Sequence, residues 1–169
     1  MDIRKPQRDE YPQIVEVINS ETELYKTVFS EEEMKNIGIG DESVEGLEAG
    51  EQTREYLVAV ESKMVMGFAS WYIKDNNVAW ISMLQVLPEH RRKGVATALV
   101  REVETQAIKK GAKALAAETQ KKAYWVKDLN IKYGFKILSW DELKKEPYAG
   151  TLDKPPVPNT YVFGKSLIT

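Results

Sequence analysis

The sequence predicts a mixed α/β fold, and three observations predict it. The apolar period is helical near the N-terminus, becomes strand-like between about residues 56 and 86, and returns to helical from Lys93 onward. The strand-like runs are separated by breaks short enough for hairpins, which implies antiparallel neighbours. Farther along, the order strand, helix, strand requires a crossover and a locally parallel pair. Hairpins and a crossover in one chain mean a mixed sheet with helices packed on it.

Each element has a local justification. Ile3 to Lys5 suit a short strand that Pro6 ends, and Tyr11, Ile14, Val15 and Ile18 recur at helical spacing. Ser30 with Glu33 three residues on has the form of a capping box that opens a short helix. From Glu31 to Glu51 there are eight acidic residues (31, 32, 33, 41, 42, 45, 48, 51) against Lys35 alone, with Gly38, Gly40 and Gly46 interrupting; the segment is expected to be negative and mobile. Tyr56 to Val60, Val65 to Ile73 and Val78 to Val86 are three β-prone runs divided by polar breaks, read as an antiparallel meander. Val95, Leu99, Val103 and Ala107 form one stripe of the longest helix, and Gly111 supplies its C-terminal cap. Strand, helix and two further strands follow at Ala114 to Glu118, Gln120 to Tyr133, Phe135 to Trp140 and Tyr161 to Leu167. Between them Lys145 to Pro158, with Pro147, Gly150, Pro155, Pro156 and Pro158, reads as a long surface loop.

Composition removes several chemistries. The chain has 169 residues, 43% of them hydrophobic and 30% charged, which suits a single domain with a substantial apolar core. With no cysteine and one histidine, His90, neither a disulfide, a thiolate metal site, a cysteine nucleophile nor a multi-histidine centre is available, and no metal is expected. A net charge of −2 gives no general attraction to nucleic acid or anionic lipid, so any anion site must be local. The polar N-terminus and the lack of a long apolar run lead to the expectation of a cytoplasmic protein with no membrane or nucleic-acid partner.

The informative stretch is Leu84 to Val100, where a strand passes through a proline-marked turn into the basic start of the longest helix. A helix start leaves about four backbone N–H groups without intrahelical partners and carries roughly half a positive charge, so it attracts phosphate. Gly94 removes the side chain that would block approach, Arg91, Arg92 and Lys93 add cations, and Thr97 adds a hydroxyl. A glycine and basic residues at a helix start are also explained by tight packing and solvated charge, and this segment alone leaves both explanations open. Neither a P-loop nor a dinucleotide fingerprint is present.

The run Arg91-Arg92-Lys93-Gly94-Val95-Ala96, preceded by Val86-Leu87-Pro88 and followed by Tyr133-Gly134-Phe135, resembles the acetyl-CoA signature of the GCN5-related N-acetyltransferases (GNAT). The resemblance spans most of the chain. It implies six or seven mostly antiparallel strands, about four flanking helices, and fourth and fifth strands that splay to receive acetyl-CoA as co-substrate. It also implies that amides of Arg92 to Thr97, with Arg91 beside them, hold the pyrophosphate, that Leu84, Gln85 and Val86 pair with the pantetheine, and that Asn130 contacts the coenzyme. The position of the family's frequent tyrosine acid is Asn130, which cannot give up a proton, and that of its cofactor-binding asparagine is Ala123. Glu118 matches the glutamate that often serves as base; the alternative is an exposed carboxylate at a strand end.

By the resemblance, a small-molecule or peptide amine attacks the thioester directly in a ternary complex, since no cysteine is present to carry an acyl group. The acidic segment suggests a cationic acceptor such as a polyamine, an aminoglycoside or a peptide amine, although a solvated acidic face is the commoner explanation of such a run. Aromatic and proline residues between Tyr148 and Pro158 are read as a second acceptor wall, and a homodimer is left open. Two other classes compete: a catalytically silent acyl-CoA-binding or sensing module, and a nucleic-acid-binding domain that uses Arg91, Arg92 and Lys93.

Overall fold

The computed structural model describes residues 1–38, 40 and 42–168, with Leu129 described by its backbone alone. Asp41, one of the acidic residues counted above, lies outside the described residues. The elements in chain order are β1 (Asp2–Arg4), α1 (Tyr11–Asn19), α2 (Thr22–Tyr25), α3 (Glu31–Ile37), α4 (Val44–Gly50), β2 (Glu55–Glu61), β3 (Met64–Ile73) and β4 (Val78–Val86). There follow α5 (Val95–Lys109), β5 (Ala114–Gln120), α6 (Tyr124–Lys132), β6 (Lys136–Ile137), α7 (Trp140–Leu143) and β7 (Thr160–Ser166). The fold is the mixed α/β architecture that the sequence predicts, with a seven-stranded sheet in the order β1-β2-β3-β4-β5-β7-β6.

β1 pairs with β2, β5 with β7, and β6 with β7, all antiparallel, whereas β4 and β5 run parallel. Their parallel ladder runs from Val78↔Ala114 to Ile81↔Ala117. β4 goes on to Val86 and β5 to Gln120 beyond the last of those pairs. Among the described residues no helix is long and apolar enough to cross a membrane.

The chain forms two compact units, one of Met1–Ser70 with Met83–Glu102 and one of Trp71–Ser82 with Val103–Thr169. In the first, Ile14 and Val17 of α1 and Leu47 of α4 bury themselves with Tyr56, Val58, Val65 and Phe68 of β2 and β3. Burying each of these aliphatic or aromatic side chains contributes roughly 1.5–3 kcal/mol. Gly67 of β3 lets the start of α5 sit close: a Cβ there would lie 2.8 Å from Val95 Cγ1 and 3.1 Å from Leu99 Cδ1. Asn19 fixes the end of α1, its Nδ2 donating to Glu42 O at 3.3 Å and its Oδ1 accepting from Glu42 N at 3.2 Å. In the second unit Val78, Ala114, Ala116, Leu138, Leu143, Tyr148 and Val162 make the core.

The four helices expected from the sequence are α1, α3, α5 and α6, and the stripe of α5 is buried as its period requires. Three further helical segments, α2, α4 and α7, are too short to display a period. Two expectations need correction. The strand expected from Phe135 to Trp140 is only Lys136–Ile137, because Ser139 accepts from Glu142 N and opens α7 instead. The segment from Lys145 to Pro158 is not all surface, since Tyr148 and Thr151 are buried. Asn76 Nδ2 donates to Ala149 O and Thr151 Oγ1, both at 2.9 Å, and Lys74 Nζ donates to Thr151 O. The acidic 31–51 segment carries two helices, and several of its carboxylates have structural work. Glu33 completes the capping box with Ser30, while Glu51 accepts from Tyr11 Oη and Arg8.

Candidate active site

The candidate site is built on the passage from β4 to α5, within the first unit. β4 ends at Val86, Leu87 N donates to Met66 O at 2.9 Å, and Pro88–His90 make one 3₁₀ turn that Arg91 N closes on Pro88 O. The chain then turns through Arg91 to Gly94, with Arg92 at φ 60° and Gly94 at φ 84°. A left-handed non-glycine residue costs about 1–2 kcal/mol, so the shape of this turn is held against a local preference. Gly94 faces open space: a Cβ there would meet nothing within 4 Å.

The helix begins when Ala98 N donates to Gly94 O at 3.0 Å. The amides before it, Val95 to Thr97, precede any intrahelical acceptor. Among the described residues, no group accepts a hydrogen bond from the amides of Arg92 to Thr97. The first turn of α5 carries no acidic side chain, and Arg92 and Lys93 are exposed beside it. Unpaired donors, a helix dipole and two solvated cations converge on a surface without an obstructing side chain. That combination suits a multiply charged anion such as a diphosphate.

Two buried polar atoms next to this turn lack partners. Gln85 Oε1 on β4 and Arg91 Nη2 are both buried with no hydrogen bond. An unpaired buried polar atom costs about 1–3 kcal/mol, so such atoms mark places where a ligand group or water completes the bonding. Arg91 does not extend into solvent with its two basic neighbours. Its Nε donates to Val86 O at 3.1 Å, and its Nη2 stands 4.0 Å from Glu21 Oε1.

Glu21, the residue before α2, is the functional candidate that the sequence does not reveal. Its side chain is 17% exposed. Burial pushes its carboxyl up to about 7, against the opposing pull of Arg91. The same burial, with the charge of Glu21 added, raises the phenol of Tyr25 to about 12. Nothing in the spacing of Ile18 to Tyr25 distinguishes Glu21 from the other glutamates of the chain. Only the packing of the α1–α2 corner against Arg91 does so.

The other sequence candidates are placed as follows. Leu84 and Gln85 are half-buried on β4, and Val86 is buried with its carbonyl held by Arg91. Asn130 lies on α6, where its carbonyl accepts from Tyr133 N and Phe135 N and so ties off the helix end at Gly134. Glu118 is exposed on β5 opposite Val162 of β7. His90 is half-buried at the end of the 3₁₀ turn. Ala123 is buried.

The family model of the acetyltransferase (GNAT) family matches residues 14–127, and the chain belongs to that family. Among solved structures it is similar to the PaiA N-acetyltransferase of Thermoplasma acidophilum in complex with coenzyme A. The two are 20% identical over 98% of each chain, with a TM-score of 0.76. It is similar to an aminoglycoside 6'-acetyltransferase type Ii at 18% identity, covering 100% of this chain and 99% of the other, with a TM-score of 0.69. The ribosomal-protein-alanine N-acetyltransferase of Brucella melitensis gives 16% identity over 99% and 100%, with a TM-score of 0.69. No curated sequence matches the chain.

Proposed function

We propose that the protein transfers the acetyl group of acetyl-CoA to a primary amine by direct attack in a ternary complex. The observation that carries this reading is the set of unpaired amides from Arg92 to Thr97 beside the open face of Gly94. These amides would hold the diphosphate, with Arg92 and Lys93 adding charge, and the backbone of Leu84 to Val86 would align the pantetheine as a further strand does. Gln85 Oε1, buried and without a donor, is suited to accept from an amide N–H of that arm. The coenzyme supplies the activated acetyl group, and its thiol, with an ordinary pKa near 8.5, is a fair leaving group. Holding amine and thioester together supplies much of the acceleration.

An alkyl amine of pKa about 10.4 arrives protonated, so a group on the protein must take its proton. By the resemblance that group is Glu118. The acceptor class that the acidic α3–α4 stretch favours is cationic: a polyamine, an aminoglycoside, or a lysine or N-terminal amine of a peptide. The named activities of the solved neighbours span the last two of these and support the breadth of that panel without selecting from it.

The test is release of free CoA from acetyl-CoA in the presence of spermidine, kanamycin, n-butylamine and an alanine-initiated peptide. Turnover with any of them, lost in Gly94→Glu, supports the transferase. Asn130 favours one other reading, since an amide there cannot protonate the departing sulfur. A silent acyl-CoA sensor would bind acetyl-CoA by calorimetry and turn over none of the four amines.

A further inference from the structure

We propose that Glu21 is the group that takes the proton from the acceptor amine. The inference rests on the transferase reading above and gives the proton to Glu21 in place of Glu118, the base that the resemblance implies and that stands exposed on β5. Three observations support it. The Glu21 carboxylate is largely withdrawn from water, yet among the described residues no donor gives it a hydrogen bond. Its one ionic neighbour among the described residues, Arg91 Nη2, is 4.0 Å away, too far for a hydrogen bond, and that buried nitrogen has no hydrogen-bond partner of its own. A largely buried carboxylate held only by a 4.0 Å ion pair, facing a buried Nη2 that has no hydrogen bond, is a costly arrangement that a close structural pair would have avoided.

The position is also suitable. The same guanidinium donates to Val86 O at the end of β4, so Glu21 stands one guanidinium away from the strand along which the pantetheine is proposed to lie. Asn19, two residues before Glu21, ties the α1–α2 corner to Glu42 through two hydrogen bonds, which holds the carboxylate in place. The titratable and charged groups that face Glu21 among the described residues are Arg91, on the turn before α5, and Tyr25, on α2. Arg91 lowers the carboxyl pKa and burial raises it, with burial prevailing and the balance near 7. A base poised there is about half ionised at neutral pH and still has useful affinity for a proton.

The step balances as follows. One N–H bond of the ammonium breaks and its proton passes to Glu21 Oε. The freed lone pair bonds the acetyl carbon, and the carbon–sulfur bond breaks with its electron pair going to sulfur. The sulfur takes up the second proton, shed by nitrogen as the amide forms, and Glu21 returns its proton to water.

The experiment measures acetyl transfer to the same four amines as a function of pH for the wild type, Glu21→Gln and Arg91→Met, with acetyl-CoA affinity measured by calorimetry. The expected wild-type turnover rises with pH through a midpoint near 7 and levels off above it, as the carboxylate becomes fully ionised. Glu21→Gln should lose about a hundredfold in turnover and lose that limb, while binding acetyl-CoA within about threefold of wild type. Arg91→Met should move the limb upward, because it removes the charge that favours the carboxylate. A carbon-13 titration of the glutamate carboxyls supplies a readout independent of turnover: a resonance with a midpoint near 7 that is missing from Glu21→Gln. A midpoint in the ordinary carboxylate range, or a Glu21→Gln enzyme with wild-type turnover and pH profile, overturns the proposal alone. A wild-type chain that fails to bind acetyl-CoA, or that acetylates none of the four amines, overturns the transferase reading and this proposal with it.

Discussion

α3 and α5 begin in opposite ways. At α3 the Ser30 side chain accepts from Glu33 N at 3.2 Å, Glu33 Oε2 accepts from Ser30 N at 2.8 Å, and three glutamates offset the helix dipole. At α5 a glycine takes the place of a cap, no acid stands in the first turn, and the amides from Arg92 to Thr97 have no acceptor among the described residues. The first helix start is complete within the chain. The second is left electrostatically positive and sterically open, which destabilises the free protein and favours an anionic ligand. A helix end that could have been capped with one serine and was not is a stronger pointer to a site than the presence of basic residues.

The sharpest way to break that contrast is Gly94→Glu, which puts a carboxylate of the chain's own where the ligand's charge would lie. Acetyl-CoA affinity should fall about a thousandfold by calorimetry while the circular dichroism spectrum is kept. The space at Gly94 is open, and only its positive φ opposes the substitution, at about 1–2 kcal/mol of stability. Unchanged affinity would mean that the open helix start binds no coenzyme.

The next effect concerns the carboxylate beside Arg91. The folded-state pKa of Glu21, about 7, lies above its ordinary 4.5, so the native state holds the proton more tightly. The stability this contributes is present below about pH 4.5 and lost as pH rises through about 7, amounting to about 3 kcal/mol. Urea unfolding of Glu21→Gln should be flatter between pH 5 and pH 8 than that of the wild type by about that amount. Equal slopes would remove the burial argument for Glu21.

A smaller effect is expected at Glu118, which stands exposed on β5. Glu118→Gln should lower turnover by no more than about tenfold, well short of Glu21→Gln. A greater loss than that of Glu21→Gln would return the proton to Glu118. The smallest effect is at the closed helix start: Ser30→Ala should cost about 1 kcal/mol in urea unfolding and leave acetyl-CoA affinity unchanged. A change in affinity there would blur the distinction between the two helix ends.

The parts of the fold legible in sequence are those with a period or a cap. The stripe Val95, Leu99, Val103 and Ala107 marks α5, and the spacing of Ser30 and Glu33 marks α3, because both depend on neighbours within one or two turns. α2, α4 and α7 have no period to show in four to seven residues. Phe135 to Trp140 has strand composition, yet Ser139 and Glu142 form a capping box that wins the segment for a helix. Tyr148 and Thr151 lie among prolines and glycine, where the local pattern speaks for surface, and are buried because Asn76 and Lys74 anchor that backbone. At the site, the glycine and the cations were readable, since a helix start is a local feature. Glu21 was not, since its significance comes from Arg91, seventy residues away in sequence.

What the sequence determined by itself is the order of the longer strands and helices, the basic, glycine-bearing start of α5 and the absence of thiol chemistry. Each of these follows from residue type and short-range spacing. Only the tertiary structure decided which carboxylate is withdrawn from water and which basic side chain turns inward. Desolvation and the distance between charges depend on long-range packing, and no local pattern encodes them.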